Sequence, residues 1–221
     1  MERNVYSLVL IDDIVNAVDK MAYERNTSRS NLINQILAEY FSFPTPEMRM
    51  KNIFDCVEQM MEEMENFQIQ FQPSDAMISI RSALHYRYNP TIRYVLELYR
   101  CCEPTVGELR VSMRTQSQPL IHILTDFFRF WADLEDKIIG SVLLENRVPC
   151  QVETGRYLRK FVMPKEENQR TNENIANAIG KYIQLFDTSL KYYFSGLDDL
   201  ASTMNTIEKN YQNYMEHEVI I

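Results

Sequence analysis

The residues of this 221-residue chain best placed to do chemistry are Ser28, Arg29 and Ser30. They stand where a stretch of helical spacing begins. At such a point the first backbone N–H groups have no intrahelical acceptor and the helix dipole is positive. Two hydroxyls and a guanidinium added to that end make an anion site, and phosphate is the anion that suits it. Ser28 is the expected N-cap. The bland alternative is an ordinary capped helix with a solvated arginine. Little else has catalytic form. His85, His122 and His217 fall in three different predicted elements and lack the clustered spacing of a metal site. Cys56, Cys101, Cys102 and Cys150 lack C-x-x-C spacing and are expected as free thiols. None of the five glycines falls in a G-x-x-x-x-G-K or G-x-G-x-x-G pattern. No catalytic residue, cofactor or metal is therefore expected, and the chain is not read as an enzyme.

The elements that must position Ser28 to Ser30 come just before and after them. Val5 to Leu10 alternates with period two, placing Tyr6, Leu8 and Leu10 on one face and Val5, Ser7 and Val9 on the other. A first helix begins at Asp12 and Asp13, whose carboxylates favour the positive helix end. Ile14, Val18, Met21 and Ala22 form its apolar stripe. Asn26 suits the left-handed conformation that closes a helix. The second helix carries Ile33, Ile36, Leu37, Tyr40 and Phe41 at spacings of three and four. One strand and two short helices bury too little apolar surface to stand alone. The simplest partner for the strand is the same strand of a second copy.

This order resembles the ribbon-helix-helix family of DNA-binding proteins. Leu8 and Leu10 leading into Asp12-Asp13-Ile14, then Val18, Asp19, Met21 and Ala22, then Ser28-Arg29-Ser30-Asn31-Leu32-Ile33 carry the likeness, which covers residues 4–41 only. The resemblance implies an intertwined homodimer, or a higher even oligomer, with a two-stranded ribbon in the major groove of double-stranded DNA. It assigns Val5, Ser7 and Val9 to the bases and Ser28, Arg29 and Ser30 to the phosphates. Tyr6, Leu8, Leu10, Ile14, Val18, Ile33, Ile36 and Leu37 become the dimer core. The chain departs from the family on its base-facing side, where long polar or basic side chains are usual. Ser7 alone can hydrogen-bond there, and the valines can touch only thymine methyls. The competing reading of that face is burial against another part of the protein.

Charge and composition set further bounds. The net charge is −8, and residues 1–50 carry five basic against seven acidic side chains, so nonspecific affinity for nucleic acid should be modest. Apolar residues make up 45% of the chain, enough for a sizeable core. No apolar run is long enough for a membrane span and no secretory signal is visible, so a cytoplasmic protein without a membrane partner is expected.

Beyond residue 43, Pro44 and Pro46 break the second helix, and a linking helix is expected across 44–66. Its stripe is Ile53, Phe54, Val57, Met60, Met61 and Met64. Period-two alternation between Gln68 and Met113 predicts three or four antiparallel strands with one buried face. A helix from Gln118 to Ile139 follows, then an irregular stretch over 145–164. There Arg147, Arg156, Arg159 and Lys160 are read as a scattered, solvated group. Residues 165–174 read as a polar loop. Two last helical stripes part at Ser195-Gly196, as a hairpin or a kinked helix. The expected class is α+β. A ribbon-helix-helix domain for DNA binding and dimerisation (1–43) and the linking helix (44–66) precede a C-terminal domain (67–221) with an antiparallel sheet and long helices. That last domain is left to sense a small-molecule effector, bind a protein partner or oligomerise. Taken together these expectations describe a homodimeric transcriptional regulator, a repressor. The alternative is an antitoxin- or partition-type interaction module whose ribbon mainly dimerises.

Overall fold

The computed structural model describes residues 5–43, 45–70, 76–87, 89–101, 103–143 and 147–221. Pro44, read as a helix breaker, and Cys102, read as a free thiol, lie outside them. The chain divides into two compact units, Met1–Thr45 and Pro46–Ile221.

In the first unit, α1 (Asp12–Glu24) opens with its two aspartates and α2 (Arg29–Tyr40) opens on Ser28. Both end the same way. Asn26 (φ +50°) and Ser42 (φ +51°) adopt the left-handed conformation one residue past the cap. In α1, Thr27 N–H donates to Ala22 O and Asn26 N–H to Tyr23 O; in α2, Phe43 N–H donates to Ala38 O and Ser42 N–H to Glu39 O. These paired reverse bonds satisfy the last carbonyls of each helix. The buried cluster between the helices is small: Val18, Ala22 and Leu32, with Ile33 partly covered.

The second unit is α+β. Its antiparallel sheet runs β1 (Phe67–Gln70), β2 (Met77–Ala83), β3 (Thr91–Leu98), β4 (Thr105–Met113), β6 (Arg156–Val162), β5 (Cys150–Glu153). Ile80, Tyr94, Val111 and Tyr157 lie opposite one another across four strands, on the covered face. The alternation over 68–113 predicts three or four strands, and four of these lie there. β5 and β6 correct the irregular reading of 145–164. They form a hairpin closed by Thr154-Gly155, where Gly155 has φ +70°, a backbone value that a side chain disfavours. Val152, Tyr157 and Phe161 carry the inward phase of that hairpin.

Four helices pack with the sheet in one core: α3 (Pro46–Glu62), α4 (Gln118–Ile139), α5 (Asn172–Ser195) and α6 (Leu200–His217). The helix expected as a link across 44–66 is part of this core. Met50, Ile53, Phe54, Val57 and Met61 are buried and α3 packs along α5. α4 has the bounds its stripe predicts. α5 and α6 form a hairpin, and Thr203 Oγ1 closes it by donating a hydrogen bond near Gly196 O (3.0 Å) and Asp199 O (2.8 Å). No helix among the described residues is long and apolar enough to cross a membrane.

Candidate nucleic-acid interface

Residues 5–11 join no strand and no helix within the chain, although the ribbon reading makes Val5–Leu10 a strand. A strand needs a hydrogen-bonding neighbour, and the described residues of the same chain offer none here. The exposures nevertheless keep a period of two. Val5 and Val9 are fully bare (100% and 102%), whereas Tyr6, Leu8 and Leu10 are shielded step by step, at 80%, 64% and 38%. All of residues 5–11 are exposed, those assigned to the dimer core included. Ser7 stands on the open face with the valines and is exposed.

The phosphate-facing trio sits at the start of α2 as its types demand. Ser28 is extended and its Oγ accepts from Asn31 N–H at 3.2 Å. That bond satisfies one of the orphan donors; the N–H groups of Arg29 and Ser30, first in the helix, have no intrahelical acceptor. Ser30 is exposed. Arg29 is not free: its Nε donates to Asp19 Oδ1 at 2.5 Å and its Nη2 to Asp19 Oδ2, tying α2 to α1. The guanidinium holds the Asp19 carboxyl below its ordinary value, chiefly through that hydrogen bond. Both side chains are about half exposed, so the pair sits in water, where such bonds contribute little and can be exchanged for a phosphate. Asp19, which the sequence offers only as part of the family likeness, takes part here as the partner of Arg29.

The apolar stripe predicted for α2 faces away from its own chain's core. Leu32 and Ala38 are the buried apolar residues of α2. Ile36, Leu37, Tyr40 and Phe41 are 42%, 44%, 82% and 71% exposed. Ile33 is partly covered. On α1, Val18 is buried while Ile14 and Met21 remain 44% and 41% exposed. Most of the residues assigned to the dimer core are therefore open in the single chain.

The second unit holds a polar cluster that the sequence reading did not anticipate. Arg159, expected in a solvated group, is 2% exposed and paired with the fully buried Glu135. Its Nε is 3.0 Å from Glu135 Oε1, close enough to pair but not aimed along a hydrogen bond. Its Nη2 donates to the Ile221 carbonyl at 2.7 Å. Glu135 accepts from the hydroxyls of Tyr157 (2.6 Å), Tyr182 (3.1 Å) and Tyr211 (3.2 Å), and Trp131 Nε1 donates to Tyr182. The guanidinium also lies 4.5 Å from the Tyr182 ring centre. The cavity that Arg159 lines is only about 10 Å³, too small for a substrate, and a carboxylate ringed by donors is poorly suited to act as a base. This is a structural centre. Its signal was β6 itself, because Tyr157, Arg159 and Phe161 share one phase of the strand.

Cys56, Cys101 and Cys150 are free thiols, and no three of the described His, Cys, Asp and Glu side chains gather as metal ligands. Comparison with protein-family models, with curated proteins and with solved structures returned no match.

Proposed function

We infer that the protein is a DNA-binding regulator that works as a homodimer through its first unit, a ribbon-helix-helix in function. Residues 5–10 of two copies pair as the ribbon and present Val5, Ser7 and Val9 to the major groove. The start of α2, with Ser28, Arg29 and Ser30, holds the flanking phosphates. One observation carries the reading. A unit whose central cluster holds three buried apolar side chains leaves the alternating segment Val5–Leu10 and Ile36, Leu37, Tyr40 and Phe41 of α2 exposed, and a second copy would cover them.

The test is DNA binding as a function of salt, using the DNA upstream of the protein's own gene. Affinity should fall steeply with salt as counterions are released. Arg29→Ala should lower the log–log slope by about one for each phosphate that the guanidinium neutralises. An unchanged slope means that Arg29 touches no phosphate.

A second reading is favoured by the apolar Val5/Val9 face, the acidic balance of the first 50 residues and the Arg29–Asp19 pair. Under it the ribbon dimerises and the protein binds another protein, as antitoxin- and partition-type proteins do. A defined partner that co-purifies, with no DNA retained at low salt, selects that reading.

A further inference from the structure

The second unit contains a hollow of about 750 Å³, a volume typical of small-molecule sites. It opens where β4 begins and β6 ends, a junction fixed by Met163 N–H donating to Pro104 O at 2.9 Å. Val142 and Leu143, following α4, form one wall, and Val219 and Ile220, following α6, form another. Val162 and Met163 lie between them. The floor and walls are thus aliphatic and come from separate parts of the chain.

The rim decides what can enter. Its charged groups are three carboxylates, Glu103, Glu166 and Glu218, and two cations, Lys165 and Arg170. Arg170 is already engaged: Nε donates to Pro164 O at 2.9 Å, Nη2 to Lys165 O at 3.2 Å, and Nη1 lies 3.6 Å from Glu103. Glu218 is held by Lys181, at 2.7 and 2.8 Å. One cation, Lys165, stands beside one carboxylate, Glu166. A phosphate or sulfonate would meet a rim whose cations are already matched to carboxylates, with an arginine committed to carbonyls and no cation left over to neutralise it. It would also surrender its hydration to an aliphatic wall. A neutral molecule meets neither obstacle.

We propose that this hollow binds an uncharged, largely apolar small molecule, held between the residues that follow α4, the end of β6 and the residues that follow α6. The site lies wholly in residues 46–221 and stands independently of the DNA reading. Met163, on its wall, is the natural reporter.

The experiment uses the full chain labelled at its methionine methyl groups, with the Met163 signal identified by Met163→Leu. Two probes share one skeleton: N-phenyl-1-naphthylamine, which is uncharged, and 8-anilinonaphthalene-1-sulfonate, which adds a sulfonate. The expected result is a saturable shift of the Met163 methyl with the uncharged probe and at least tenfold weaker binding of the sulfonate there. Val142→Trp and, separately, Val219→Trp fill the hollow and should each weaken the uncharged probe at least tenfold. No saturable shift at Met163, a shift confined to Met21 in the first unit, equal or tighter binding of the sulfonate, or binding that survives both tryptophan variants would overturn the proposal. The comparison of the two probes on the unsubstituted chain decides the matter even if a tryptophan variant fails to fold.

Discussion

Glu135 and Arg159 show how much one buried residue pair can control. Burial works against both charges, and their mutual attraction offsets it only while both are present. Glu135→Gln or Arg159→Met alone should therefore destabilise the second unit by about 3–5 kcal/mol, by leaving a charge unpaired in the core. The double replacement by apolar residues should recover much of that deficit, and urea unfolding of the three variants measures it. The same cluster sets the response to alkali. Burial, then the nearby Glu135, pushes the Tyr157 and Tyr182 hydroxyls well above their ordinary value, and burial with Asp187 does the same to Tyr94. A raised folded pKa means that the unfolded chain releases these protons first, at about pH 10. Stability is thus fully present below that pH and is lost as pH rises above it. Absorbance at 295 nm should retain a tyrosine fraction that ionises only together with loss of helical circular dichroism. Ionisation of all thirteen tyrosines ahead of unfolding would refute the protection.

At the scale of elements, legibility followed the strength of local signals. α4 was readable because Leu120, Leu124, Phe127, Phe128, Trp131 and Leu134 keep helical spacing and are all buried. Ser28 and Asn26 were readable because a cap and a left-handed closure each need particular side-chain chemistry. The β5–β6 hairpin was missed because Thr154-Gly155 is a weak turn signal and Arg159 interrupts the apolar phase. Burial of that arginine depends on Glu135 from another element, which no local pattern encodes. The stripe of α2 was harder for a different reason: apolar residues stand round much of the helix, and those that its own chain buries, Leu32 and Ala38, are not the ones whose spacing is most regular. Gly107 adds a constraint with no periodic signature. The strand register shifts between Thr105 and Gly107, and a Cβ on Gly107 would stand 2.2 Å from the Glu97 carbonyl oxygen. Gly107→Ala must push β4 off β3, and a destabilisation of about 1–3 kcal/mol is expected on thermal or urea unfolding.

For the whole molecule, the contrast between the two units generates the sharpest expectation. Pro46–Ile221 contains a continuous core of sheet and four helices and can hold its fold without a second copy. Among the described residues of the first unit, the buried cluster is small and most of the large apolar side chains are exposed. If two copies cover them, the first unit's stability must depend on protein concentration, because association is part of its folding. The second unit's stability should not. Trp131, the only tryptophan in the chain, lies in the second core, so its fluorescence follows that unit alone. Urea unfolding watched by helical circular dichroism should then show an early phase whose midpoint rises with protein concentration. The tryptophan transition should stay where it is. Leu8→Asp, which puts a charge on the proposed dimer face, should move the early phase to lower urea and abolish its concentration dependence, again without moving the tryptophan transition. A single transition seen identically by both probes at every concentration would mean that the first unit has no partner copy, and the ribbon would go with it.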